Sequence, residues 1–350
     1  MSSFYKLSIK EIIKETADAV SILFNVPEEL QSHYTFVAGQ YVNLKVTLDG
    51  KEIRRAYSIC SAPKSGELRI AVKAVKNGFF SKFANEKLAV GNVIEVGTPE
   101  GKFTFEPKTD RQKNYAAFVA GSGITPVFSI LKSVLEEEPN STFVLVYGNK
   151  SEKDTIFHKQ LHDLQLQYVG RLFVQYVYSQ STADNALLGR IDNTTVNFIL
   201  KNKHAEMAFA KFYLCGPEEM INLVSNTLKE NNISDSAIKF ELFSTSSNVK
   251  EATSGADGHT KISILVDDEE TTFEMSQQQT VLEAALKQGL DVPYSCQGGI
   301  CSSCICRITE GAAEMKKNQI LNESEVAEGL TLACQAYPTT TTIKIDFDAV

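Results

Sequence analysis

The rhythm of apolar and polar positions changes three times along this chain. Over residues 1–107, apolar residues come in short alternating or β-branched runs. Examples are "YVNLKVTL" at 41–48 and "ELRIAVKAV" at 67–75, with the turn signals "LDGK", "APKSG" and "VGNV" between such runs. Short strands punctuated in this way predict an antiparallel β-barrel or sandwich. After "EPKTDRQKN" the runs become continuous: "YAAFVA", "FVLVYGN", "FVQYVYS" and "FYLCGP" read as buried strands. Between the first two of these, Ile124, Val127, Phe128, Leu131 and Leu135 recur at helical spacing. Strands alternating with helices over 112–243 predict a doubly wound α/β domain on a parallel sheet. The stretch "STSSNVKEATSGADGHT", 244–260, is small, polar and aperiodic, and reads as a flexible linker. Over 261–350, "KISILVDDEETTFEM" predicts a hairpin and "TVLEAALKQGL" a helix.

Composition agrees with several domains. At 350 residues the chain is too long for one ordinary core, and 43% hydrophobic with 22% charged residues is the balance of a globular protein. A net charge of -8 argues against a nucleic-acid partner. The N-terminus has no apolar signal region, and no stretch is apolar enough to span a membrane, so a cytoplasmic protein is expected. Thiols stay reduced in that compartment. Seven cysteines, most of them in the last 60 residues, therefore point to a metal or cluster site and away from a disulfide framework.

The crowded stretch is "PYSCQGGICSSCICRI", 293–308. Cys296 and Cys301 are spaced C-x4-C, Cys301 and Cys304 C-x2-C, and Cys334 is the distant fourth. This is the plant-type spacing of a [2Fe-2S] cluster, in which each iron takes two thiolates. One loop can supply three ligands only by curling tightly, which Gly298 and Gly299 permit. A zinc site is the competing reading, but it wants a second C-x2-C or a histidine pair, and no histidine follows His259. Cys306 lies in the alternating "CICRI" and reads as a small packed hydrophobe. From about residue 260 the chain resembles a plant-type ferredoxin domain, which implies an α+β β-grasp fold and one-electron transfer.

Five motifs stand ahead of it in order. They are "RAYS" at 55–58, "KNGFFSKF" at 76–83, "PEGKFTF" at 99–105, "GSGITP" at 121–126 and "YLCGP" at 213–217. Together they resemble the ferredoxin–NADP reductase family. The resemblance implies a flavin on Tyr57, with Ser58 near its reactive nitrogen and Arg55 at its phosphate. It also implies that Gly78, Phe79, Phe80 and Ser81 meet the phosphates. Gly121, Gly123, Thr125 and Pro126 would receive the nicotinamide nucleotide, with Cys215, Gly216 and Pro217 beside the nicotinamide. Ser58 and Cys215 are then the residues next to hydride transfer. The flavin implied is FAD, with FMN the alternative.

Reductase first and ferredoxin last is the layout of bacterial oxygenase reductase components. "AVKAVKNGFFSKFAN", "YGNKSEKDTIF" and "LLGRID" are most similar to the reductases of phenylacetyl-CoA epoxidases; ketosteroid hydroxylase and phthalate dioxygenase reductases share the layout. The resemblance implies electron flow from NAD(P)H through FAD and a [2Fe-2S] cluster to a terminal oxygenase, with no nucleic acid and no membrane involved. Other readings are a redox sensor or carrier that does not turn over NAD(P)H, and a stand-alone ferredoxin or flavin reductase. At the position after "VQYVY" where many NADP-using relatives carry Ser-Arg, this chain has Ser179-Gln180. Lys150 and Arg190 could compensate, so use of both NADH and NADPH is expected.

Overall fold

The computed structural model describes residues 3–48, 50–76, 78–243, 258–266, 268–294 and 296–350. Most of the expected linker, residues 244–257, lies outside the described residues. The chain divides into two compact units: one ends at Phe243, and the other is built chiefly from the residues beyond it.

The first unit begins with strands β1 (Phe4–Thr16), β2 (Ala19–Asn25), β3 (Tyr41–Leu48), β4 (Lys51–Ser58) and β5 (Leu68–Lys73). Helix α1 (Phe79–Glu86) and strand β6 (Val93–Gly97) follow. The strands form one sheet in the order β4-β3-β6-β1-β2-β5. An antiparallel bridge between Ile59 and Ile70 joins the chain just after β4 to β5, so the barrel closes. Its interior is the alternate set predicted by period 2: Leu7 and Ile9, Val20, Ile22 and Phe24, Val42 and Leu44, Ile70 and Val72.

The same unit continues with β7 (Asn114–Ala120), α2 (Ile124–Glu137), β8 (Thr142–Asn149), α3 (His158–Gln167), β9 (Leu172–Tyr178) and β10 (Ala186–Leu188). Then come α4 (Asn193–Phe198), β11 (Phe209–Gly216), α5 (Glu218–Glu230) and β12 (Ile238–Leu242). All six strands are parallel, in the order β10-β9-β8-β7-β11-β12. The five residues expected at helical spacing after Gly123 are all buried on α2. The order reverses between β7 and β11, which is where ligands bind in sheets of this kind. Barrel and parallel sheet share a core: Cys60, Phe103 and Phe105 pack with α2 and with Tyr213 of β11. Ser129 Oγ donates to Ser61 O at 2.6 Å, and Lys239 Nζ donates to Thr104 O at 2.7 Å.

The second unit holds β13 (His259–Val266), β14 (Glu269–Ser276), α6 (Val281–Lys287), β15 (Ile305–Glu310) and β16 (Ala313–Met315). It ends with α7 (Glu323–Ala327), β17 (Leu330–Leu332), β18 (Ala336–Pro338) and β19 (Thr342–Asp346). A mixed sheet in the order β14-β13-β19-β15-β17 packs its Ile262, Ile264, Ile343 and Ile345 against Val281, Leu282 and Ala285 of α6. The helix starts at a capping box in which Thr280 and Glu283 satisfy each other's backbone amides. The expected hairpin is β13–β14. Cys306 is fully buried in this core.

The parallel-sheet part of the first unit yields a contrast between two glycines. A Cβ on Gly123 would sit 2.2 Å from Cys215 O, whereas one on Gly121 would meet nothing within 4 Å. Gly121, however, has φ +54, which a side chain disfavours. Gly123→Ala should therefore cost about 1–3 kcal/mol through overpacking against fixed backbone. Gly121→Ala should cost about 1 kcal/mol through strain alone. Thermal unfolding of the first unit checks the order, and equal or inverted losses would contradict the close approach.

Candidate functional site

Arg55, Tyr57 and Ser58 lie on β4, and strand alternation sends Arg55 and Tyr57 to one face and Ser58 to the other. Arg55 is exposed and donates to the Arg54 carbonyl at 2.7 Å. Tyr57 lies against Phe80 of α1, with ring centroids 5.4 Å apart and planes tilted by 42°. Just before α1, a Cβ on Gly78 would fall 2.3 Å from Ser81 Oγ and 2.6 Å from Val75 Cγ2. Ser81 Oγ also accepts from Val75 N at 3.2 Å, which folds the turn onto the helix start. The first amides of α1 have no partner within the helix and form an anion-binding end. Phe80 is buried, and Phe79 is 70% exposed beside that end. A half-exposed aromatic ring, an exposed cation on the same strand face and a tight turn at a helix start are what a flavin nucleotide needs, so the residues fit the group.

Ser58 points inward and donates from Oγ to Glu241 Oε2 at 3.3 Å. Glu241 lies on β12, paired with Cys215 of β11. Burial raises the Glu241 carboxyl to about 8, against the counter-effect of the Ser58 hydrogen bond. Burial, with the Glu241 charge added, pushes the Cys215 thiol well up, so it stays neutral. The Cys215 carbonyl is the atom that excludes a side chain at Gly123. The predicted nucleotide residues Gly121, Gly123, Thr125 and Pro126 thus stand at the end of β7, beside Cys215, Gly216 and Pro217 at the end of β11. Thr125 Oγ1 donates to Ser122 O at 3.1 Å, and Pro217 precedes the first turn of α5. Sequence reasoning missed Glu241. Its only signal is an acid alternating with apolar residues in "IKFEL", which reads as a solvent-facing position on a strand.

In the second unit the four predicted cysteines come together. Cys296 lies within hydrogen-bonding reach of Cys301 and of Cys334, and Cys304 within reach of Cys334. The Cys301 and Cys334 thiols, with the Gly298 and Ile300 amides behind them, hold Cys296 well below the usual thiol range. Donating to Cys296 pushes Cys301 up, and the Cys296 and Cys304 thiols do the same to Cys334. The Gly298 amide reaches the Cys296 sulfur at 3.4 Å. Gly299 adopts φ +72 where a Cβ would lie 2.7 Å from Lys317 O, so the loop closes on its neighbour. Among the described residues, no three His, Cys, Asp or Glu side chains gather as ligands of one ion. Four thiols within reach of one another supply the four thiolates that a two-iron cluster takes, two to each iron. Cys306 is fully buried, and its thiol donates to Thr331 O at 3.9 Å.

Elsewhere, a cavity of about 380 Å³ in the barrel wall is lined by Lys6, Lys45, Leu48, Phe83, Leu88 and Val93 among others; of the motif residues it touches Phe83, at the end of the "KNGFFSKF" segment. Among the described residues no helix is long and apolar enough to cross a membrane.

The half-buried Glu241 carboxyl makes stability depend on pH. The Glu241 carboxyl has an ordinary value of 4.5 and sits near 8 when folded, so between these values the folded chain holds the extra proton. Stability must then fall as pH rises through that window, and the contribution is level on either side of it. In protein stripped of flavin, Glu241→Gln should gain stability relative to the parent as pH rises from 4.5 to 8. Urea unfolding measures this, and a difference constant across the window would contradict a Glu241 held protonated in the folded chain.

Comparison with known proteins assigns all three parts. Residues 6–105 match the oxidoreductase FAD-binding domain, 118–226 the oxidoreductase NAD-binding domain and 264–339 the 2Fe-2S iron-sulfur cluster binding domain. The chain is 38% identical to a subunit of the 1,2-phenylacetyl-CoA epoxidase of Escherichia coli K12, over 100% of this chain and 99% of that protein. It is 32% identical to the ferredoxin reductase component of 3-ketosteroid-9-alpha-monooxygenase from Rhodococcus rhodochrous, over 97% and 96%. The solved structure of phthalate dioxygenase reductase matches with a TM-score of 0.62 at 20% identity, covering 98% of both chains, and carries the same fold. The chain belongs to the family of NAD(P)H-dependent oxygenase reductase components, which pass electrons through FAD and a plant-type [2Fe-2S] cluster.

Proposed function

We propose that this chain acts in the cytoplasm as the reductase of a phenylacetyl-CoA epoxidase, delivering electrons one at a time to its oxygenase. The observation that carries the partner is the 38% identity to a subunit of that enzyme along the whole length. When bound, the flavin accepts hydride as two electrons and the cluster carries them onward singly. The chain supplies the rest. Tyr57 gives the flavin an aromatic wall, and Arg55 with the α1 amides at Gly78–Ser81 balances the phosphate charge. Gly121, Gly123, Thr125 and Pro126 receive the nicotinamide nucleotide at the switch between β7 and β11, with Gly216 and Pro217 opposite. Cys215, held neutral, adds no charge beside the nicotinamide. Ser58 and Glu241 form a hydrogen-bonded pair able to hold a proton near neutral pH.

The cluster ligands are Cys296, Cys301, Cys304 and Cys334, with Cys306 a packing residue. Each single serine substitution at the four should abolish the reduced-state electron spin resonance signal or make iron labile, while Cys306→Ser keeps both. Ferricyanide reduction by NAD(P)H, which draws from the flavin, should persist in all five variants. Cytochrome c reduction should collapse only in the four. Loss of the signal in Cys306→Ser with retention in Cys304→Ser would reverse the assignment. For the partner, epoxidation of phenylacetyl-CoA by the purified oxygenase should require this protein and NAD(P)H. Failure there, with turnover restored to a ketosteroid monooxygenase, would move the chain to the other branch of its relatives.

Neither Ser179-Gln180 nor the cations Lys150 and Arg190 select one nucleotide outright. The ratio of kcat/KM for NADH and NADPH should stay within about a hundredfold, near 2.7 kcal/mol. A larger preference would contradict shared use.

A further inference from the structure

Tyr147 is fully buried on β8, and its hydroxyl lies 3.0 Å from Gly121 O and 3.4 Å from Ile156 O. A phenol has one proton to donate, so the shorter contact is the primary bond. Gly121 O also accepts from the Ile124 amide, so both of its lone pairs are used. A trans peptide is planar, and its C=O and the next N–H point in opposite directions. With the Gly121 carbonyl held inward on the phenol, the Ser122 N–H must face outward. That amide is one of the first in its helical turn and has no partner within the turn. The outer side of Gly121 is open, since a Cβ there would meet nothing within 4 Å.

The phenol itself sits in a fixed frame. Ile156 and Phe157 lead into α3, and Phe157 is a bulky residue at φ 61. Such a conformation persists only when its surroundings over-determine it. Here the Phe157 ring stacks on Phe128 of α2, with centroids 4.5 Å apart and planes 13° apart. Tyr147 thus ties the loop before α3 to the loop before α2, across the carboxyl ends of β7 and β8.

We propose that Tyr147 is a positioning residue for the nicotinamide nucleotide: its hydroxyl fixes the peptide between Gly121 and Ser122 so that the Ser122 amide faces the dinucleotide pyrophosphate. This rests on the reductase function proposed for the chain. Tyr147 touches no reacting atom, so its removal weakens nucleotide binding without slowing hydride transfer.

The neighbouring Tyr176 supplies a matched control. Its ring lies 6.5 Å from that of Tyr147, and its buried hydroxyl has no hydrogen-bond partner among the described residues. In the holoenzyme with ferricyanide as acceptor, Tyr147→Phe should raise KM for both nucleotides about three- to tenfold, the loss of roughly one hydrogen bond. Its kcat, flavin content and iron content should match the parent. The dissociation constant for the oxidised nucleotide, read from perturbation of the flavin band, should rise by the same factor. Tyr176→Phe should leave all of these unchanged. An unchanged KM and dissociation constant in Tyr147→Phe, a fall in kcat alone, or an equal KM rise in Tyr176→Phe would each overturn the assignment. A parent protein that oxidises neither nucleotide would instead sink the proposed reductase function, and this inference with it.

Discussion

The Cys215 carbonyl lies where a side chain on Gly123 would have to begin, 2.2 Å from its would-be Cβ. That close approach brings together two loops more than ninety positions apart in sequence, at the reversal in strand order between β7 and β11. Everything at the hydride-transfer end hangs on it. The start of α2 stands where the proposed nucleotide site needs it only because the end of β11 comes up beside it. The end of β11 in turn sets Cys215 next to Glu241 on β12, and Glu241 meets Ser58 from the barrel. A one-methyl change at Gly123 would therefore be felt by three different strands.

The barrel cannot drift from this assembly, because polar contacts lock it at several depths. A buried carboxylate, Glu138 at the end of α2, accepts from Lys108 N and from Tyr115 and Ser141 hydroxyls, and pairs with Arg111 at 2.9 Å. Three of these partners belong to the stretch that leads from the barrel into β7 and the start of that strand. A buried charge with its lone pairs filled is costly to disturb by removing any one partner. Arg171 satisfies the carbonyls at the same helix end, donating to Leu135, Glu138 and Ser141. With its far end pinned in this way, α2 keeps its N-terminus fixed beside the end of β11.

Much of this was legible in the sequence, for local reasons. The helical spacing from Ile124 to Leu135, the β13–β14 hairpin and the helix in "TVLEAALKQGL" depend on neighbours a few residues away, and periodicity reports them. The cysteine spacing was legible because ligand chemistry restricts which loops can supply three thiolates. Glu241 was not, because its meaning comes from a parallel pairing with Cys215 and a contact from Ser58, 183 residues away. Tyr147 was hidden for the same reason: within "FVLVYGN" it reads as one more buried strand residue, and only the fold reveals a carbonyl beneath its hydroxyl. Short strands such as β10, β16 and β18 carry too few residues to show a period.

Central to all of this is that one chain takes two electrons as hydride at its front unit and releases them singly at its cysteine loop. An anaerobic titration of the purified protein with NADH or NADPH, followed by visible absorption and electron spin resonance, tests this most directly. The flavin and cluster bands should bleach together, and the spectrum of a reduced [2Fe-2S] centre should grow in as they do. A flavin that bleaches while the cluster bands stay oxidised, or a protein whose visible bands do not respond to either nucleotide, would contradict it.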